Sequence, residues 1–397
     1  MRILTYTTLF PNNASPLHSL FVRARVAAVA KQFDTTVVAP VPYFPKLPFN
    51  LPKRFKKYES YSKVTTEETQ LNLKVYHPRF PTFPGVAKSF DGHFLSYATQ
   101  GLVQKLHHQQ PFDLIDAHWG YPDGYAAYLI AKKLKLPYTI TVRGDDLSTF
   151  PKDPGRRKRI TEALSNASHV IGVCNALCEA AIELGASPDK TTAIGNGVDT
   201  ALFQQHDKLA ARQQLGLPQD KKIILSVGHL CERKGFHILV EAIELLQKEK
   251  QDDITLVIVG ANAEEGSFES ILKEKIKKLP KHAVLLAGAK PPKELPLWYS
   301  AADLFCLASS REGWANVLLE SLSCGTPVVA TDIWGTPEVI TSSDYGLLTA
   351  RSGNAFAESI SEALNKQWDH DAIKKYAQNR TWDNVANEVV AIFNKII

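Results

Sequence analysis

A chain of 397 residues exceeds the size at which a single core stops growing, roughly 250–300 residues, so two domains are expected. Apolar residues make up 44% and charged residues 22%, which fits a soluble globular protein and excludes a disordered or collagenous one. The net charge of +5 is mild, and no zinc-finger, RNP-like or stacking pattern accompanies it, so no nucleic-acid partner is expected.

The opening run MRILTYTTLFPNNAS is too short in its apolar part for a secretory signal and reads as a first β-strand, Arg2–Tyr6. Leu20–Phe33 carries apolar residues at helical spacing. Thr35–Ala39 is β-branched and short, a strand. Pro40–Pro52 is broken by prolines, and four cations follow: Lys53, Arg54, Lys56 and Lys57. Phe112–Ala117, Tyr138–Val142 and His169–Val173 read as buried strands, with helices predicted over Gly124–Leu134 and Lys158–Ala167. A second basic cluster, Arg156, Arg157, Lys158 and Arg159, runs into the start of that last helix. Either cluster is a solvated face or a surface for anionic headgroups or phosphate. The five cysteines show no metal spacing and read as buried or free thiols of a reducing, cytoplasmic compartment. No run of 18 apolar residues occurs, so no membrane span is expected.

After Ile194–Phe203, where two glycines and an asparagine interrupt the pattern, the βα succession begins again. Strands are predicted over Lys222–Val227, Ile254–Val259, Ala283–Leu286, Leu304–Ala308 and Pro327–Ala330, with helices over Gly235–Lys248 and Val317–Ser323. The final segment Thr381–Ile397 has one apolar face at helical spacing. It either caps its own domain or packs on the other. The succession implies two α/β domains with mostly parallel sheets.

Parallel sheets bind ligands at the carboxyl ends of their strands, so the residues after each strand carry the functional argument. Gly228 and His229 end one strand, and Arg233 and Lys234 precede the next helix, where two cations and helix amides suit a diphosphate. Neither G-x-G-x-x-G nor G-x-x-x-x-G-K-[ST] is present, against a dinucleotide dehydrogenase or a P-loop ATPase. Ser309–Glu320 follows the strand Leu304–Ala308 and holds two carboxylates, Glu312 and Glu320. Glu320 sits among leucines and needs a partner if buried; a ribose diol would supply one. Gly313 allows close backbone approach and is placed to start a helix with exposed N–H groups. In the first domain, His118 ends one strand, and Arg143 and Asp145 follow another. Asp145-Asp146 beside an arginine is a weak metal signal, and no metal is expected.

The stretch REGWANVLLESLSCGTPVVATDIWGTPEVI (Arg311–Ile340), with its E-x7-E spacing, resembles the family 4 retaining glycosyltransferases, particularly bacterial members that build exopolysaccharide or teichuronic acid. SVGHLCERKGFHILVEAI (Ser226–Ile243) and IGNGVDTALF match further blocks in the family's order. The resemblance implies a GT-B fold: Rossmann-like domains over 1–198 and 199–375 facing across a deep cleft, with a helix, 376–397, returning to the first. It implies that Glu312 binds donor-sugar hydroxyls, Glu320 the ribose and Lys234 the diphosphate. It further implies that His118 meets the sugar near its anomeric carbon, and that Gly228, His229, Gly313, Trp314, Ala315, Asn316 and Val317 line the donor site. Arg143 and Asp145 fall on the acceptor side. Many relatives carry Gly-Arg where this chain has Gly228-His229, which leaves His229, Arg233 and Lys234 as alternative holders of the phosphate.

The implied activity is retaining transfer of a hexosyl or N-acetylhexosaminyl group. The donor is a UDP- or GDP-sugar, with no cofactor, and the acceptor a saccharide or polyprenyl-linked saccharide. Competing readings are a non-hydrolysing sugar-nucleotide epimerase and a catalytically silent nucleotide-sugar binder. A cytoplasmic location is expected, with peripheral contact to anionic membrane through Lys53, Arg54, Lys56 and Lys57.

Overall fold

Two sheets, each built around a parallel core, organise the chain in a computed structural model that describes residues 1–43, 60–83, 87–249, 253–262 and 268–397. The quartet Lys53, Arg54, Lys56 and Lys57 lies outside those residues. By contact density the chain divides into one unit of Met1–Asn196 with Trp382–Ile397, and a second of Gly197–Thr381.

The first unit holds β1 (Arg2–Tyr6), β2 (Asp34–Val38), β3 (Val41–Tyr43), β4 (Glu67–Gln70), β5 (Leu73–Tyr76), β6 (Arg79–Pro81), β7 (Leu114–His118), β8 (Tyr138–Val142), β9 (His169–Gly172) and β10 (Thr191–Ala193). Its eight-stranded sheet runs β10-β9-β8-β7-β1-β2-β5-β4, and β4 alone is antiparallel to its neighbour. β3 and β6 pair separately. Strands β1, β7 and β8 are buried almost throughout, as a sheet covered on both faces requires.

The β4–β5 hairpin and the helix Asp91–Gln109 are among the elements of this unit that the sequence does not mark. The β4–β5 hairpin turns through Leu71 and Asn72, both at positive φ, and a leucine there gives no turn signal. The 19-residue helix Asp91–Gln109 carries Gly92 and Gly101 inside it. A Cβ on Gly92 would lie 2.8 Å from the Tyr125 ring, so close packing on the neighbouring helix, rather than helix propensity, explains that glycine. The helix read over Lys158–Ala167 begins earlier, at Pro154. Proline suits its first turn, and the Asp153 side chain accepts from Arg156 N as a cap.

The second unit holds β11 (Lys222–Val227), β12 (Ile254–Val259), β13 (Val284–Gly288), β14 (Leu304–Leu307), β15 (Val328–Thr331) and β16 (Gly346–Thr349). They form one parallel sheet in the order β13-β12-β11-β14-β15-β16. The chain order reverses between β11 and β14, and a crevice opens at such a point beyond the strands' carboxyl ends. In the first unit the corresponding reversal lies between β1 and β7.

The last helix, Trp382–Ile396, belongs to the first unit. Its Val385, Ala386, Val389, Ile392 and Phe393 share a core with Ile3, Ala28, Val29, Leu114 and Ile171. Lys31 and Gln32 bond its Asp383 and Asn387 at the edge. Because Phe393 is fully buried, Phe393→Ala should cost about 3–5 kcal/mol. The measurement is denaturant unfolding followed by hydrogen exchange, and loss of protection in β1 and β7 is the expected sign.

Candidate functional site

The second unit places its charged residues at the β11/β14 reversal. After β11 the chain makes a 3-10 turn, Glu232–Lys234, and enters the helix Phe236–Lys248 through Gly235. Gly235 has φ +71°, and a Cβ there would meet the Ala308 carbonyl oxygen at 1.9 Å. Only glycine lets this turn lie against the end of β14. Ser310 N donates to Arg233 O at 2.8 Å and fixes the two loops to each other.

This contact delivers both cations to Glu312. Lys234 Nζ lies 2.6 Å and Arg233 Nη1 3.3 Å from Oε1, and the buried Ser309 hydroxyl donates to the same oxygen at 2.7 Å. Oε2 takes no hydrogen bond among the described residues. Burial pushes the Glu312 carboxyl up, but Lys234, then Arg233, then the hydrogen bonds outweigh it, so it titrates below the usual carboxylate range. Glu312 is therefore an anion at neutral pH. Its side chain is 11% exposed and that of Lys234 12%, so the pair is shielded, whereas Arg233 at 38% faces solvent.

Glu320 lies on the helix Asn316–Ser323. Tyr299, fully buried, donates its hydroxyl to Oε2 at 2.8 Å. Burial raises the Glu320 carboxyl to about 7, while the Tyr299 bond and the Lys234 charge pull it down. Lys234 thus bears on both carboxylates. The tyrosine has no motif in the sequence that marks it, and only the packing of helix Leu295–Ala301 on the glutamate's helix reveals it. Gly313 does not start that helix; Ala315 is its N-cap residue and Asn316 its first residue. Trp314 packs on the unit's core with its indole N–H buried and unpartnered, and His229 is exposed.

In the first unit His118 is fully buried at the end of β7. Its Nε2 lies 3.0 Å from Asp116 Oδ2, and Arg143 Nη2 lies 2.7 Å from Nδ1. A guanidinium only donates, so Nδ1 accepts and Nε2–H donates to Asp116. Burial lowers His118 to about 4 against the pull of Asp116, and Arg143 and Arg25 add to the lowering. The ring is neutral at physiological pH with both nitrogens engaged, so it has no free lone pair for base catalysis. Sequence reasoning missed Asp116, and also Arg25, fully buried within electrostatic reach of Asp116 and Arg143. Arg143 itself lies 5.1 Å over the Phe21 ring.

Asp145 is exposed, while its neighbour Asp146 is buried and accepts from the backbone N–H of Gly120, Arg143 and Gly144. Asp146 therefore ties the loops after β7 and β8 together. Asp123 accepts from the Thr7 hydroxyl and from the Thr8 N–H and hydroxyl, and anchors the loop after β1. Among the described residues no three His, Cys, Asp or Glu side chains gather as a metal site.

With this geometry in place, two family profiles match the chain: glycosyl transferases group 1 over residues 207–380 and glycosyltransferase family 4 over 58–202. A Bacillus subtilis (strain 168) chain named for a glycosyltransferase of teichuronic acid biosynthesis, TuaC, is 30% identical over 378 residues, spanning 94% of this chain and 91% of its own. A D-inositol 3-phosphate glycosyltransferase of Acidothermus cellulolyticus is 32% identical over 69% of this chain and 62% of its own. Among solved structures, a sucrose-phosphate synthase from Thermosynechococcus elongatus has a TM-score of 0.77 at 19% identity, covering 100% of this chain and 98% of that one. Anabaena HepE in complex with UDP has a TM-score of 0.76 at 20% identity, with both chains fully covered. The protein belongs to the family 4 (group 1) glycosyltransferases. It has the GT-B fold, and it is a glycosyltransferase.

The Glu320 carboxyl titrates above its ordinary range, so the folded state binds a proton that the unfolded chain releases. The stability this proton carries is complete below about pH 4.5 and is lost as pH rises through about 7. Glu320→Gln has no such loss. Its thermal midpoint should draw ahead of the parent between pH 5 and 8 by a few degrees. Tyr299→Phe removes a bond that pulls the carboxyl down, so its loss of stability should begin at the same pH and continue to higher pH than in the parent. Parallel curves for all three proteins would refute the assignment.

Proposed function

We propose that the protein transfers a hexosyl or N-acetylhexosaminyl group, with retention at the anomeric carbon and without a metal. The donor is a UDP- or GDP-sugar and the acceptor a saccharide or lipid-linked saccharide. The observation that carries this reading is the cluster at the β11/β14 reversal, with Lys234 and Arg233 held on one oxygen of Glu312 and Glu320 held by Tyr299. Two cations and a carboxylate with a free oxygen suit a diphosphate beside a polyhydroxylated sugar. The relatives named above support it. HepE was also solved in complex with UDP-glucose, at 22% identity, and TuaC is named for polysaccharide synthesis.

In this reading Lys234 and Arg233 stabilise the charge that develops on the diphosphate as the anomeric C–O bond breaks. Glu312 Oε2 accepts from sugar hydroxyls, and ionised Glu320 accepts from the ribose. The acceptor oxygen bonds on the face the diphosphate leaves, and its proton passes to the departing phosphate oxygen. His118, neutral and doubly hydrogen-bonded, shapes the site rather than moving protons. Gly228, His229, Gly313, Trp314, Ala315, Asn316 and Val317 line the donor side, and Arg143 and Asp145 the acceptor side. The protein works in the cytoplasm. The quartet Lys53, Arg54, Lys56 and Lys57 brings it to lipid-linked acceptors at the inner face of the membrane. Among the described residues no helix is long and apolar enough to cross a membrane.

Calorimetric titration with UDP- and GDP-sugars tests the reading. One donor should bind with equal affinity with and without EDTA. Glu320→Ala should weaken it about tenfold or more, equivalent to about 1.4 kcal/mol or more, and Lys234→Ala should weaken it further. Folded protein that binds no sugar nucleotide, or that binds only with a divalent cation, contradicts it.

A further inference from the structure

One side of the first unit carries aromatic side chains in the open. Tyr97 is 79% exposed, Phe83 52% and Phe90 49%. Single exposed apolar residues are ordinary, but these adjoin one another. Phe90, Phe94 and Tyr97 follow at i, i+4 and i+7, one face of the helix Asp91–Gln109 and the 3-10 turn before it. Phe83 meets Phe94 edge to face, ring centroids 5.7 Å apart.

The basic cluster of the sequence stands beside this ridge. The helix Pro154–Ser165 approaches so closely that a Cβ on Gly155 would lie 2.8 Å from Ser89. Arg159 stacks 4.8 Å over the Phe90 ring and bonds His93. Arg156 stacks 4.8 Å over Phe150. Arg157, Lys158 and Lys88 are exposed. The carboxylates nearby are engaged within the protein. Asp153 caps the helix, Glu162 accepts from Tyr128, and burial lifts Asp91 to about 6 against Arg156 and Lys88.

The geometry points to a membrane-docking surface here: Phe83, Phe90, Phe94 and Tyr97 seat at the headgroup level of an anionic bilayer, and Lys88, Arg156, Arg157 and Lys158 meet its lipid phosphates. Aromatic rings favour the membrane–water interface. Cations at its edge add an attraction that falls away within a Debye length. A protein partner would be served by the rings without the cations, and a polyanion in solution by the cations without the rings. This surface is distinct from the residues that hold the donor. None of its residues belongs to the Lys53–Lys57 quartet.

Co-sedimentation with vesicles decides it. The full chain should bind vesicles containing roughly one third phosphatidylglycerol in phosphatidylcholine, and not phosphatidylcholine alone, with binding that falls as salt rises. Arg157→Gln with Lys158→Gln, and separately Phe83→Ser with Tyr97→Ser, should each reduce that binding about tenfold. All four positions are exposed, so both variants should fold and keep the parent's sugar-nucleotide titration. Equal binding to neutral vesicles, no vesicle binding, or parent-like binding by both variants would overturn the proposal, including the case where only the Lys53–Lys57 quartet matters. Failure here with an intact sugar-nucleotide titration removes the surface and leaves the transferase reading standing.

Discussion

A shielded carboxylate at the end of a parallel strand must be neutralised or it will not stay ionised. Glu312 meets that constraint through Lys234, and much of the second unit is arranged to make the pair possible. The reversal of strand order sets the end of β14 beside the end of β11. Gly235 removes the side chain that would hold the loops apart. Ser309 and Arg233 fill the remaining contacts on Oε1. Without a ligand, the cations rest on a protein anion. In the proposed function an arriving diphosphate competes with Glu312 for them, and the pair holds the two cations in position for it. Buried pairs of this kind contribute little net stability, and a functional setting explains them better.

The first unit solves a related problem differently. His118 is saturated between Asp116 and Arg143, and Asp146 and Asp123 bind the backbone of the loops around it. These groups hold the carboxyl ends of β1, β7 and β8 in a fixed arrangement. The imidazole is therefore part of a rigid frame, and its neutral state follows from burial more than from any neighbour.

The strands were the most legible part of the fold. Arg2–Tyr6, Tyr138–Val142, Lys222–Val227 and Ile254–Val259 read at the bounds the structure has, because fully buried parallel strands leave continuous apolar runs. The hairpin through Leu71–Asn72 and the helix Asp91–Gln109 did not read, because a positive-φ leucine and an internal glycine obey tertiary packing rather than local preference. In the site, Glu312, Arg233 and Lys234 stand out by charge after strand ends, and Glu320 by a charge among leucines. Tyr299, Ser309 and Asp116 do not. Each is an ordinary residue type with no motif to mark it, and its role exists only through a partner that the fold sets beside it.

The sequence by itself determined the parallel α/β class, the two successive βα series, the family and the charged residues of the loops after β11 and β14. Those properties are written in local runs and spacings. Tertiary structure alone decided which oxygen of Glu312 is taken, which proton His118 carries, that Glu320 titrates near neutrality, and that an aromatic ridge lies beside a basic helix. Each depends on groups brought together from separate elements, and on burial that changes what their charges cost.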